Sequence, residues 1–109
     1  MQPHRCEVHH NTAGGRDAFG EWIEGLKDTV GRVIVLKRVA RMEEGNFGDH
    51  RSVGGGVWEL RIHVGPGYRV YYGIAGPSVV LLLGGGDKGT QGKDIRRAQD
   101  CWADYWRTR

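Results

Sequence analysis

Glu59, Arg61, His63, Arg69 and Tyr71 stand at alternate positions on either side of Gly65-Pro66-Gly67, and side chains of these kinds on one surface suit a phosphodiester. Guanidiniums grip phosphate oxygens in a planar fork, an imidazole moves a proton near neutral pH, and a phenol donates a hydrogen bond or stacks on a base. Alternation along two strands puts Trp58, Leu60, Ile62 and Val64 on one face and Glu59, Arg61 and His63 on the other. With the glycine–proline triplet as a three-residue loop, Val64 faces Tyr68, Ile62 faces Val70, Leu60 faces Tyr72 and Trp58 faces Ile74. The same register sets His63 against Arg69 and Arg61 against Tyr71, on the face turned away from the first two helices.

A plainer reading stands beside that one. Antiparallel sheets often bury one face and solvate the other, and a solvated face carries charge without doing chemistry. Two arginines around a histidine repel one another unless an anion is expected, which favours the site. On a solvated face, Arg69→Ala is expected to cost about 1 kcal/mol or less.

The elements that must position these residues follow from spacing. Arg5 to His10 reads as a short strand and Asn11 to Gly15 as a turn. Phe19, Trp22, Ile23 and Leu26 recur at helical intervals, so a short amphipathic helix starts near Asp17. A second helix is expected from Thr29 to Glu44, burying Val33, Leu36, Val39 or Ala40, and Met42, and stopped by Gly45-Asn46. Arg32, Lys37, Arg38 and Arg41 give it a basic flank, either solvated or set against nucleic acid or an acidic partner. Asn46 to Gly56 reads as a glycine-rich connection. Ser78 to Leu83 is apolar at both parities, as a strand covered on both faces and central in its sheet would be. Thr90 caps a last helix in which Ile95, Ala98, Trp102 and Tyr105 share a side, placed over Leu81 and Leu83. Lys88 is then held beside the polar face of the hairpin.

Composition bounds the rest. The 109 residues fit a single domain (1–109) with a modest core, and a net charge of +3 favours a polyanionic or acidic partner. Cys6 and Cys101 could pair if the ends meet, but two reduced thiols suit a cytoplasmic chain better. No apolar run spans a membrane, and the first residues lack the core of a signal peptide. Gly84 to Gly86 with Lys88 lacks the spacing of a phosphate-binding loop, and His4, Cys6, His9 and His10 match no standard metal site. No cofactor or metal is expected.

Larger blocks stand in a telling order: Asp28, Glu44-Gly45-Asn46-Phe47-Gly48-Asp49, Glu59-Leu60-Arg61-Ile62, Gly65-Pro66-Gly67-Tyr68-Arg69-Val70-Tyr71, Gly85-Gly86-Asp87-Lys88, then Gln91, Asp94-Ile95 and Ala98. This series closely resembles the HigB-like "addiction module killer" branch of the RelE/ParE toxin superfamily, over roughly residues 17 to 103. Residues 1–16 diverge from the short first strand expected there, and Gly31, Gly84, Gly89 and Gly92 fall where bulkier or helix-favouring residues are expected. The resemblance implies a small α+β domain: two N-terminal helices packed on a mostly antiparallel sheet of three or four strands, then a C-terminal helix.

It also implies the toxin of a type II toxin–antitoxin pair, which causes growth arrest by cutting mRNA in the ribosome. Its partners would be a helix-turn-helix antitoxin, the ribosome and mRNA, with operator DNA reached only through the antitoxin and no membrane. The implied hydrolase is a metal-independent endoribonuclease (an mRNA interferase) in which the ribose 2′-hydroxyl attacks the adjacent phosphate. Arg69 would stabilise charge, with Arg61 and Lys88 next, His63 serving as acid or base, and Tyr71 stacking or donating. Glu59 would orient Arg61 or His63. Arg32, Lys37, Arg38 and Arg41 would bind substrate, or an acidic antitoxin segment that also covers an exposed cluster of Trp102, Tyr105 and Trp106. The alternatives are a ParE-like gyrase inhibitor without nuclease chemistry, or a degenerate toxin that retains only antitoxin binding.

Overall fold

The computed structural model describes residues 5–109. The order is β1 (Glu7–His10), α1 (Ala18–Glu24), α2 (Thr29–Met42), β2 (His50–Gly54), β3 (Val57–Ile62), β4 (Tyr68–Gly76), β5 (Val79–Asp87) and α3 (Gln91–Arg107). The five strands form one mixed sheet in the order β1-β5-β4-β3-β2, with β1 parallel to β5 and the other neighbours antiparallel. The α+β class is as expected; the count of three or four strands is not. The unforeseen strand is β2, which lies in the segment read as a glycine-rich connection. It is a largely exposed edge, so His50-Arg51-Ser52 shows none of the apolar alternation that betrays a strand.

Two cores lie on the two faces of the sheet. Leu60, Ile62, Val70, Tyr72, Val80 and Leu82 pack under α1 and α2, through Phe19, Ile23, Val35, Val39 and Met42. Val57, Tyr71, Leu81 and Leu83 pack under α3, through Ala98 and Trp102. The run in β5 is therefore covered on both faces, as its two-parity apolarity requires, and paired on both edges as far as Leu82. Gly73 lets α3 approach, since an added Cβ there would lie 2.7 Å from the Trp102 ring.

Helix α2 turns differently from expectation. Its buried side is Gly31, Val35, Val39 and Met42, while Val33 and Leu36 stand about half exposed. Apolar residues lie nearly all round this helix, so periodicity alone does not choose a face. Gly31 decides it: a Cβ there would come within 2.7 Å of the Tyr68 ring, and its N–H is capped by Asp28 Oδ1 at 2.9 Å. The glycine that looked out of place is what admits Tyr68 under the helix.

The hairpin register also needs correction. Trp58 pairs with Tyr72, Glu59 with Tyr71, Leu60 with Val70, Arg61 with Arg69 and Ile62 with Tyr68. The loop is 63–67, closed by Gly67 N–H donating to Val64 O at 2.9 Å. Gly65 and Gly67 both take positive φ, 52° and 83°, where the common three-residue loop uses one such residue. The slip is by two positions in the pair sum, so each strand keeps its faces while every partner changes.

Candidate functional site

Three strands build a polar ladder on the α3 face of the sheet. One row runs Arg51, Glu59, Tyr71; the other follows from Arg61 N–H donating to Asp49 O at 2.9 Å and runs Asp49, Arg61, Arg69. Opposite charges meet between β2 and β3 in both rows, Arg51 with Glu59 and Asp49 with Arg61, whereas Arg61 and Arg69 set two cations side by side across β3 and β4.

The first row is buried rather than solvated. Glu59 and Tyr71 are fully buried because α3 begins above them. Glu59 Oε1 accepts from Arg51 Nε at 3.0 Å, and Oε2 accepts from Tyr71 Oη at 3.1 Å and Gln91 Nε2 at 2.7 Å. Arg69, 8% exposed at its side chain, brings Nε to 3.9 Å from Glu59 Oε2 and donates from Nη1 to Tyr68 O at 3.3 Å. Arg69 Nε itself has no hydrogen-bond partner among the described residues. Burial and the Glu59 carboxylate push the Tyr71 phenol well above its usual range, so it stays a neutral donor. Glu59 thus organises Arg51, Tyr71 and Gln91 instead of orienting Arg61 or His63, and Tyr71 is not placed to stack on a base.

The second row reaches the surface. Arg61 donates through Nε (3.2 Å) and Nη2 (2.8 Å) to Asp49 Oδ1, and His63 Nε2 meets Asp49 Oδ2. His63 lies in the loop, not in β3, so Arg61 occupies the place opposite Arg69 that His63 was expected to fill. Lys88 follows β5, and its N–H donates to Gly67 O at 2.9 Å. A Cβ placed on Gly67 would be 3.6 Å from both Arg69 Nη1 and Lys88 Cβ, so both residues flank Gly67 in the loop. Arg61, Arg69, His63 and Lys88 therefore share one end of the hairpin, with Tyr71 behind them.

The basic flank of α2 divides. Arg38 turns inward and donates to Arg61 O at 3.0 Å and Phe47 O at 3.2 Å. Burial lowers its pKa, and it ties α2 to β3 instead of joining a solvated surface with Arg32, Lys37 and Arg41. At the other end, Trp102 is core, stacked on Tyr105 at 5.2 Å, while Trp106 is half exposed. No disulfide links Cys6 and Cys101. His4 lies outside the described residues; among the described residues no cluster of three or more His, Cys, Asp or Glu is arranged to hold a metal. No helix among them is long and apolar enough to cross a membrane.

Asp49, Arg51 and Gln91 are the members that sequence reasoning missed. Asp49 carries a consequence with pH. His63 and then Arg61, both bonded to it, hold its carboxyl down at about 2. A carboxyl depressed on folding adds stability above its unfolded pKa of ~3.9 and loses it as pH falls toward the folded value. Urea midpoints of the wild type should therefore decline more steeply than those of Asp49→Asn between pH ~4 and ~2. Parallel declines would mean that Asp49 is not held by these partners.

Fold and ladder together define a small α+β domain with a cationic hairpin end. The chain is 46% identical over 81 residues to an uncharacterized protein of Haemophilus influenzae, covering 74% of this chain and 82% of that protein. It belongs to that protein's family. No family model matches the sequence, and no solved structure matches it.

Proposed function

We propose that this protein is the toxin of a type II toxin–antitoxin module, a ribosome-dependent mRNA endonuclease of RelE/ParE type acting in the cytoplasm. The observation that carries the reading is the hairpin end, where Arg61 and Arg69 are direct cross-strand partners and both Arg69 and Lys88 flank Gly67. Cationic residues gathered at one end of a hairpin suit a phosphodiester and its transition state. The helix pair on one sheet face and α3 on the other agree with the blocks that resemble the HigB-like branch.

In this reading the ribose 2′-hydroxyl gives its proton to a base and attacks phosphorus in line. The 5′-oxygen leaves with a proton from an acid, giving a 2′,3′-cyclic phosphate and a 5′-hydroxyl. His63, exposed and oriented by Asp49, is the imidazole at the hairpin end among the described residues and serves as base or acid. Arg69 presents Nη1 to the phosphate while its Nε side is anchored near Glu59. Arg61 and Lys88 hold the flanking backbone. The partners are ribosome-bound mRNA and a helix-turn-helix antitoxin, through which alone the complex would reach operator DNA.

Induced expression in a host lacking the antitoxin is the test, with growth and primer extension on a translated message read together. Wild type should arrest growth and cut the message. Arg61→Ala and Lys88→Ala should weaken cleavage about tenfold each, as phosphate contacts contribute more to binding than to the chemical step. Arrest without cleavage would overturn the nuclease in favour of a ParE-like gyrase inhibitor. Absence of arrest would leave a degenerate toxin that retains only antitoxin binding. The observation favouring these alternatives is that Tyr71 and most of Arg69 are buried and engaged around Glu59.

A further inference from the structure

The outer edge of β5 is covered by β1 only as far as Leu82, the partner of His10. The last rung is Asn11 N–H donating to Leu82 O at 3.0 Å, and the chain then leaves the sheet. Asn11 Nδ2 donates to Cys101 Sγ at 2.9 Å, its Oδ1 accepts from Ala13 N–H, and Gly14 and Gly15 at φ 82° and 81° turn the chain toward α1. Among the described residues, Leu83 to Asp87 thus have β4 on one side and no strand on the other. A groove of about 760 Å³ borders this edge between α1 and α3. Unpaired strand edges are templates for another chain.

The two walls differ in chemistry. A Cβ on Gly85 would run into the Trp22 ring, and one on Gly86 into the Asp94 carboxylate, so successive positions face α1 and then α3. The α1 wall offers Ala18 and Trp22. Its Arg16 is engaged by Glu21, with Nε at 3.2 Å and Nη2 at 3.1 Å from the carboxylate. Asp104, on α3, pairs with Arg107. On the α3 wall that leaves Asp94, which accepts from Thr90 Oγ1, and Asp100 against Arg97, a net acidic wall in a protein of net charge +3.

The geometry points to the Leu83–Asp87 edge as a docking site for an extended segment of a partner protein. The segment adds a strand with apolar side chains toward Trp22 and Lys or Arg side chains toward Asp94 and Asp100. Main-chain hydrogen bonds supply affinity in such a mode and the alternating side chains supply specificity. A second copy of this chain is a poor occupant, because pairing β5 with β5 would oppose the same carboxylates. The inference rests on an open backbone edge and its charges, independently of any nuclease activity.

A peptide of about eight residues alternating Lys and Val is the probe, added to the isotope-labelled full-length protein. Binding should shift the amide resonances of Leu83 to Asp87 and slow their hydrogen exchange. Asp100→Lys should weaken it about tenfold or more, and a Glu–Val peptide or a backbone N-methylated Lys–Val peptide should not bind. No change at Leu83 to Asp87, or equal binding by either control, would overturn the proposal. So would a dimer in which those amides are already protected and the peptide does not compete, since the occupant would then be a second copy.

Discussion

Glu59→Ala should destabilise the protein by about 3–5 kcal/mol, because it leaves the buried Arg69 guanidinium without its counter-charge and the buried Tyr71 phenol without its acceptor. Four groups converge on this fully buried carboxylate: Arg51 Nε, Tyr71 Oη, Gln91 Nε2 and, at 3.9 Å, Arg69 Nε. They come from β2, β4 and the first turn of α3, so one side chain joins the edge strand, the sheet centre and the helix. In a chain of this size each kcal/mol moves the melting temperature by about 4–8 °C, so a fall of more than about 12 °C is expected. Glu59→Gln keeps an acceptor for Tyr71 but loses the charge facing Arg69, and should cost roughly half as much. Circular-dichroism melts of the two variants beside wild type decide the matter. A Glu59→Ala melt within a few degrees of wild type would show that the network contributes nothing net.

Much of the scaffold was legible because its signals are local. Phe19, Trp22 and Ile23 declare α1 by spacing, and Val80, Leu81, Leu82 and Leu83 declare a doubly covered strand by parity. The faces of β3 and β4 were legible for the same reason, since a period of two survives an even slip. What was not legible depends on contacts distant in sequence. The burial of Glu59, Arg69 and Tyr71 follows from α3 starting over them, and neither strand records where that helix begins. Arg38 looks like one of a row of surface cations until Phe47 O and Arg61 O are seen to accept from it. Asp49 falls in the segment read as a glycine-rich connection, yet it is the carboxylate that gathers Arg61 and His63. Lys88 was placed beside the hairpin end, where it does lie, because the strand it follows could be recognised from sequence alone.

Arg69 should prove costly in both senses, which revises the expectation that its loss is nearly neutral for folding. With its side chain 8% exposed and its Nε 3.9 Å from Glu59, Arg69→Ala removes one partner of a buried pair. The destabilisation expected is about 3 kcal/mol, so loss of toxicity in that variant alone would not separate chemistry from folding. Arg69→Lys makes the separation. A lysine keeps the positive charge near Glu59 but not the planar fork that can hold Tyr68 O on one side and a phosphate on the other. It should melt within a few degrees of wild type, while cleavage of a translated message should fall on the order of a hundredfold, as when one preorganised transition-state donor is removed. Paired melts and primer extension give both readouts from the same preparations. If Arg69→Lys melts like wild type and also cuts like wild type, the guanidinium serves the fold alone. The nuclease reading would then rest on Arg61, His63 and Lys88, the members of the hairpin end that reach solvent.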